Sequence, residues 1–402
     1  MGESGAAAMV MLAEQCGGWS AMSIVVGPHK GRHRPSVAVG IPVYGSFPLA
    51  PTDKRDGRNE RDMNLKSGEL YFINEVDVLT GASSDFYKIG LVKDSRQGDA
   101  ANRLDEHQTG NPRKLVIVEC VEAVAISDLE KTVHNRFATL RILGEWFVLD
   151  AEELSTSIGV AKDLSNEQAL HRHQLEVSAE LSKVESDGRT REPQDEDLEW
   201  FVCATSAKAL GTRAKALKMR TETFFKSAIE VGADAGNYAR WTQATRRTFD
   251  KDKFAESYPD LFEQFLREET RLSPKFLLKP QKDAETPVLP DSFLVLEQQF
   301  EQFFSVDSSD GDALHQLHQL HLQLLRFTAQ AKWDQAISEA NLKALCGESD
   351  GIGELLTWRR KQSTSSKLDE TALKSQHPDI YDSFAQEIPN PKFEVVPMRS
   401  YA

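Results

Sequence analysis

Apolar and aromatic positions fall in short β-rich runs between positions 68 and 149, and in helical spacing over much of the remaining chain. ELYFINEV (69–76) and FYKIGLV (86–92) are separated by DVLTGASSD (77–85), a cluster of turn formers, and together predict a β-hairpin. AANRLDEHQ (100–108) predicts a short helix, and KLVIVECVEA (114–123) a third strand with a near-continuous apolar run. In ISDLEKTVHNRFATL (126–140), Leu129, Val133, Phe137 and Leu140 keep helical spacing and must face the sheet. Ser127 followed three residues on by Glu130 has capping-box spacing. EWFVL (145–149) returns as a strand. The order β-β-α-β-α-β predicts, over 68–150, a small mixed β-sheet flanked by helices, so the fold class is α+β.

Beyond Asp150 the pattern is helical and charged, and 151–199 reads as a helix and a charged linker, LSKVESDGRTREPQDEDLE (181–199). The rest is a mainly helical tail holding two copies of an α+β module, at 200–280 and 317–402, with a linker and a Phe- and Gln-rich helix over 281–316. TRRTFDKDKFAESYPDLFEQFLRE (245–268) and TSSKLDETALKSQHPDIYDSFAQE (364–387) align without a gap: Phe249 with Leu368, Asp250 with Asp369, Phe254 with Leu373, and Phe265 with Phe384. Asp250 and Asp369 are expected as helix N-caps, with Pro259-Asp260 and Pro378-Asp379 as turns. In HQLHQLH (315–321) the histidines recur every three residues and drift round a helix, so a solvated helix edge is expected rather than a metal site. The leader, 1–67, holds strand-like runs at 23–27 and 36–45 and basic clusters at 30–34 and 54–61, readable as a DNA-contacting arm or as solvated charge.

Composition narrows this picture little. A net charge of -14 argues against coating nucleic acid by bulk electrostatics, but not against a local basic patch. Cys16, Cys120, Cys203 and Cys346 are far apart and make no CxxC pair, so reduced thiols are expected rather than a zinc site or disulfide set. No apolar run reaches the length of a membrane span, and AAAMVML (6–12) follows Glu3 without a basic flank. A cytoplasmic protein without a membrane partner is expected.

The ordered blocks GELYFI (68–73), FYKIG (86–90), NRLDEHQTGNP (102–112), DLEKTVHNRF (128–137) and GEWFVL (144–149) resemble the GIY-YIG nuclease superfamily, in its branch common among phage and viral proteins. Tyr71 falls on the tyrosine of the first signature, and Ile89 and Gly90 on the second. Lys88 rather than tyrosine precedes Ile-Gly, and Tyr87, one place earlier, would point to the opposite face of a strand. Arg103 falls on the family arginine and Glu130 on its metal-binding glutamate; GEWF stands where the namesake motif has an asparagine. The tail repeats resemble the segment after the nuclease core of YqaJ-type viral recombinases.

The resemblance implies a metal-dependent endonuclease acting on nucleic acid, expected to be DNA, of phage, mobile-element or defence type. Mg²⁺ or Mn²⁺ would be held by Glu130 with waters. Tyr71 would help deprotonate the attacking water, with Lys88 among the cations that lower its pKa. Arg103 would clamp the phosphate. His134, four residues after Glu130, would carry a proton or support the site. Tyr87, Gly90 and Trp146 would be supporting residues, with Glu145 and Trp146 shaping the wall. The duplicated tail would bind DNA, a protein partner or a second copy of the chain. A catalytically silent domain of this fold, binding nucleic acid or protein, is the alternative.

Overall fold

The computed structural model describes residues 62–94, 99–281, 287–305 and 311–398; the strand-like runs and basic clusters expected within 1–61 lie outside them. Strands β1 (Gly68–Val76) and β2 (Ser83–Lys93) form the hairpin. Asp77 accepts from the backbone N–H groups of Leu79 and Thr80 in its turn, and Gly81 supplies φ +72°. Helix α1 (Ala100–Gln108) is capped by Asp99, which accepts from Asn102 N–H. It leads into β3 (Lys114–Ala123), α2 (Ile126–Arg136), β4 (Arg141–Leu143) and β5 (Trp146–Val148). The sheet order is β3-β1-β2-β5-β4 and every pairing is antiparallel, not mixed as expected. β2 and β3 run the same way, but β1 lies between them.

Strand periodicity divides this sheet into two faces. Leu70, Phe72, Ile89 and Phe147 pack under Leu129 and Val133 of α2. Tyr71 and Ile73 pack with Ala100 and Leu104 of α1 and with Trp146 on the other face. The capping box expected at Ser127 does not form. Helix α2 starts at Ile126, with Ala125 at the cap and no side-chain cap bond. Instead the buried Gln168 side chain accepts from Ala125 N–H and donates to its carbonyl. Gln168 lies on α3 (Ala151–Leu170), itself opened by an Asp150–Glu153 capping box.

Helix α4 (Arg172–Leu181) and the short β6 (Thr190–Arg191) precede the long α5 (Asp195–Glu230). The stretch read as a linker is fastened down: Asp197, fully buried, takes an ion pair from Arg191 at 2.5 Å, and β6 pairs with a strand near the end of the chain. From α5 the chain runs through β7 (Ala239–Thr242), β8 (Thr245–Phe249), α6 (Lys251–Ser257), α7 (Pro259–Gln264) and β9 (Leu266–Leu278). Next come α8 (Asp291–Ser305) and a second long helix, α9 (Gly311–Cys346), which crosses the boundary expected at 317. The last elements are β10 (Gly351–Ile352), β11 (Leu356–Leu368), α10 (Glu370–Gln376), α11 (Pro378–Phe384), β12 (Ala385–Pro389) and β13 (Lys392–Val395). Asp250 and Asp369 cap α6 and α10 through Lys253 N–H and Ala372 N–H. Pro259 and Pro378 open helices instead of turns, because proline at the first helical position loses no hydrogen bond.

Helices α5 and α9 pack antiparallel: Phe201 meets Leu342 at one end, and Phe225 shares a cluster with Leu317 at the other. Helix α9 is buried around much of its circumference, contributing Trp333 and Ile337 to the core of the N-terminal sheet. That burial overturns the solvated edge for two of the three histidines, leaving only His315 exposed. His318 donates from Nε2 to the Val396 carbonyl at 2.9 Å, and His321 is buried with its pKa pushed down to about 3 by burial. Among the described residues Cys120 and Cys346 are free, whereas Cys203 is disulfide-bonded, so the expectation of reduced thiols fails there. Among the described residues no helix is long and apolar enough to cross a membrane.

Candidate active site

The register of β1 on β2 sets Tyr71 opposite Gly90 and Ile73 opposite Lys88. A Cβ on Gly90 would meet the Tyr71 hydroxyl at 2.5 Å, so only glycine lets the ring lie across β2. The Tyr71 hydroxyl contacts His107 Nε2 at 3.2 Å, and the far nitrogen of that ring, Nδ1, lies 3.5 Å from Lys88 Nζ. Lys88 also pairs with Glu145 at 3.3 Å. An ammonium only donates, so Nδ1 accepts and the single proton of the neutral imidazole sits on Nε2, donating to Tyr71. The hydroxyl proton of Tyr71 is left free to donate elsewhere.

Arg103, one turn before His107 on α1, bonds Glu106, while its buried Nε has no hydrogen-bond partner. Trp146, opposite Lys88 on β5, packs against the cluster that holds Tyr71. Tyr87 packs on the other face of the sheet with the core beneath α2. β5 pairs with β2 only over Phe86, Tyr87 and Lys88. Beyond that point α2 approaches the strand, and His134 bonds the Ile89 carbonyl at 2.8 Å. His134 is buried against Phe147, and burial pushes its pKa down to about 4. Its proton is therefore committed to holding α2 on β2, and the role of proton carrier expected of it does not fit this geometry.

Glu130 is one turn earlier on α2. Burial first, then the nearby Glu145 carboxylate, pushes its pKa up to about 7, against Arg141, Lys93 and Lys88. Tyr71 departs from expectation. Burial and Glu145 outweigh Arg103 and raise its pKa to about 12, so the resting phenol is protonated and the neighbouring cations do not activate it.

Tyr71, Lys88, Arg103 and Glu130 thus share one electrostatic neighbourhood, and it includes three groups that the sequence pattern left unmarked or assigned to the wall. These are His107, Arg141 and Glu145. His107 had a usable signal, being four residues after Arg103 and so on the same helix face. Glu145 stood in the GEWF block but was read as wall, and Arg141 had no signal, because both reach the site through a short strand and its turn. Among the described residues no group of three or more His, Cys, Asp or Glu is placed to hold a metal ion. Glu145 is near enough to raise the Glu130 pKa, and these two carboxylates are the groups here that could hold a hard cation keeping most of its waters. No protein-family model matches the chain, and neither a curated protein nor a solved structure matches it.

Proposed function

We propose that the chain is a metal-dependent endonuclease that hydrolyses phosphodiester bonds of nucleic acid, DNA by preference. The observation that carries this reading is the gathering of Tyr71, Lys88 and Arg103 around His107 on the α1 face of the sheet, within electrostatic reach of Glu130 on α2. Arg103, with an unpartnered buried Nε, offers a planar donor set to phosphate oxygens as charge grows on them. The free O–H of Tyr71, fixed by His107 and Lys88, orients a water or a phosphate oxygen by donating to it. Glu130, aided by Glu145, would hold Mg²⁺ or Mn²⁺, which supplies charge neutralisation at the phosphate and leaving oxygen when bound. Lys88 adds positive charge beside the same position while fixing the His107 tautomer.

Incubation of supercoiled plasmid with the full chain and Mg²⁺ or Mn²⁺ is expected to give nicked or linear product. Arg103→Ala and Glu130→Gln should each lower that rate by at least about 100-fold, the scale of losing one transition-state electrostatic contact, with unchanged circular dichroism. A wild-type protein that cleaves no DNA or RNA of any topology with either metal ends the enzyme reading. The raised pKa of Tyr71 favours one second reading, a catalytically silent domain that binds nucleic acid. Its mark would be a metal-independent gel shift with the substrate recovered intact.

A further inference from the structure

The ladder between β9 and β11 pairs thirteen residues of each strand, from Leu266 with Leu368 to Leu278 with Leu356. Residue 267 stands opposite 367 and 275 opposite 359, so the odd-numbered residues of both strands share one face. That face carries Arg267, Arg271, Lys275, Arg359, Lys361 and Lys367, all exposed, against a single acid, Glu269. On the even-numbered face stand Leu272, Pro274, Gln362 and Thr364, with Arg360 buried against Trp358. In a chain of net charge -14 this separation concentrates positive charge on one exposed surface.

The fold does not require the arrangement. Like charges directly opposite in a ladder destabilise it, yet Arg267 faces Lys367 and Lys275 faces Arg359. The first pair is relieved, since Arg267 reaches Asp369 at 2.8 Å and Lys367 reaches Glu269 at 3.1 Å. The second is not. Lys275 and Lys361 have no ion pair among the described residues, and Arg359 comes only within 4.0 Å of Asp350. The one large apolar side chain on this face is Leu277, exposed at its end, and no aromatic anchor of the kind protein partners use stands there, while Ser273, Ser363 and Ser365 offer short hydroxyls between the cations. From residue 267 to residue 275 the row spans roughly 27 Å, about eight base-pair steps of duplex.

We propose that the odd-numbered face of the β9–β11 ribbon is a docking surface that grips the phosphate backbone of a nucleic-acid duplex without reading its sequence. The choice of nucleic acid among polyanions rests on the nuclease reading; the surface itself rests on its charge and register.

The test is fluorescence anisotropy of the full chain with labelled DNA duplex, RNA duplex and single-stranded DNA. It is run in EDTA over a KCl series, so that no cleavage intervenes. The triple variant Lys275→Ser/Arg359→Ser/Lys361→Ser is compared with the even-face control Gln362→Ser/Thr364→Ser, both checked for wild-type melting. The triple variant should bind a duplex at least about 10-fold more weakly, with a log–log salt slope smaller by about 2–3, and the control should match wild type. The RNA and DNA arms show which duplex is preferred. Wild-type affinity and slope in the triple variant overturn the proposal, as does a wild type that binds no duplex at low salt, which would leave the face to an acidic protein. Failure here is separable from failure of the nuclease. A chain that cleaves normally with the ribbon charges removed keeps the nuclease and loses the ribbon. Ribbon-dependent binding without cleavage in Mg²⁺ or Mn²⁺ does the reverse.

Discussion

Gly90 and Tyr71 show how one residue without a side chain sets the geometry of another. The Tyr71 ring crosses β2 where a Cβ would stand, and from there its oxygen meets His107. Gly90→Ala should therefore push the ring off His107. The expected result is a stability loss of about 1–3 kcal/mol from overpacking, read by denaturant melts, together with a fall in any nuclease rate. Wild-type stability and rate in Gly90→Ala would show that the ring position is unimportant. His107 completes the same unit: because Lys88 can only donate to Nδ1, the proton on Nε2 has one place to go, the Tyr71 oxygen.

At the scale of elements, the two tail copies are halves of one structure. Phe249 pairs with Ala385 and Leu266 with Leu368, so the first strand of each copy pairs with the second strand of the other. Phe254 and Phe265 from one copy share a buried cluster with Leu373 and Phe384 from the other. Neither copy has this core alone, and a two-stranded ribbon without it would be marginal. Asp250 and Asp369 cap equivalent helices of that shared core. Asp250→Ala and Asp369→Ala should each destabilise the chain by about 1 kcal/mol. Thermal melts should show a loss at Asp369 equal to or slightly above that at Asp250, because Asp369 also loses a partly exposed ion pair to Arg267; a loss at Asp250 well above that at Asp369 would show that the copies are not equivalent.

Across the whole molecule, a buried polar network ties α2 and α3 to α9. Arg136 bonds Gln330, Gln330 bonds Asp334, and Trp333 donates to Glu167 at 2.7 Å. Two carboxylates face one guanidinium here, and burial with Glu167 pushes the Asp334 pKa up to about 8. The folded state therefore holds a proton that the unfolded chain releases near pH ~4. The stability from this group is complete below that pH and is lost as pH rises through about 8. Wild-type Tm should fall from about pH 4 to about pH 8 and then level off, and Asp334→Asn, which cannot ionise, should flatten that fall by a few degrees. An equally steep fall in the variant would place the proton elsewhere.

The sequence alone determined what depends on local period and on residue type in order. The hairpin, two of the three further strands and both helices of 68–149, the α+β class and the capped, duplicated modules were readable, because alternation and capping are short-range properties; the three-residue strand at 141–143 was too short to show a period. Tyr71, Arg103 and Glu130 were singled out through the resemblance, and the fold brings them within electrostatic reach of one another. Tertiary structure decided the rest. Burial made His134 a strut and raised the Tyr71 pKa, and neither depends on neighbours in the chain. Glu145 and Arg141 joined the site through a turn, Gln168 capped a helix from 43 residues away, and α9 turned a histidine run inward. Pairing between the copies, of residues 78 to 102 positions apart, then created both the ribbon and its charged face. A sequence pattern specifies which side of an element is apolar, but not which element covers it, and desolvation, the largest force on these groups, comes from the cover.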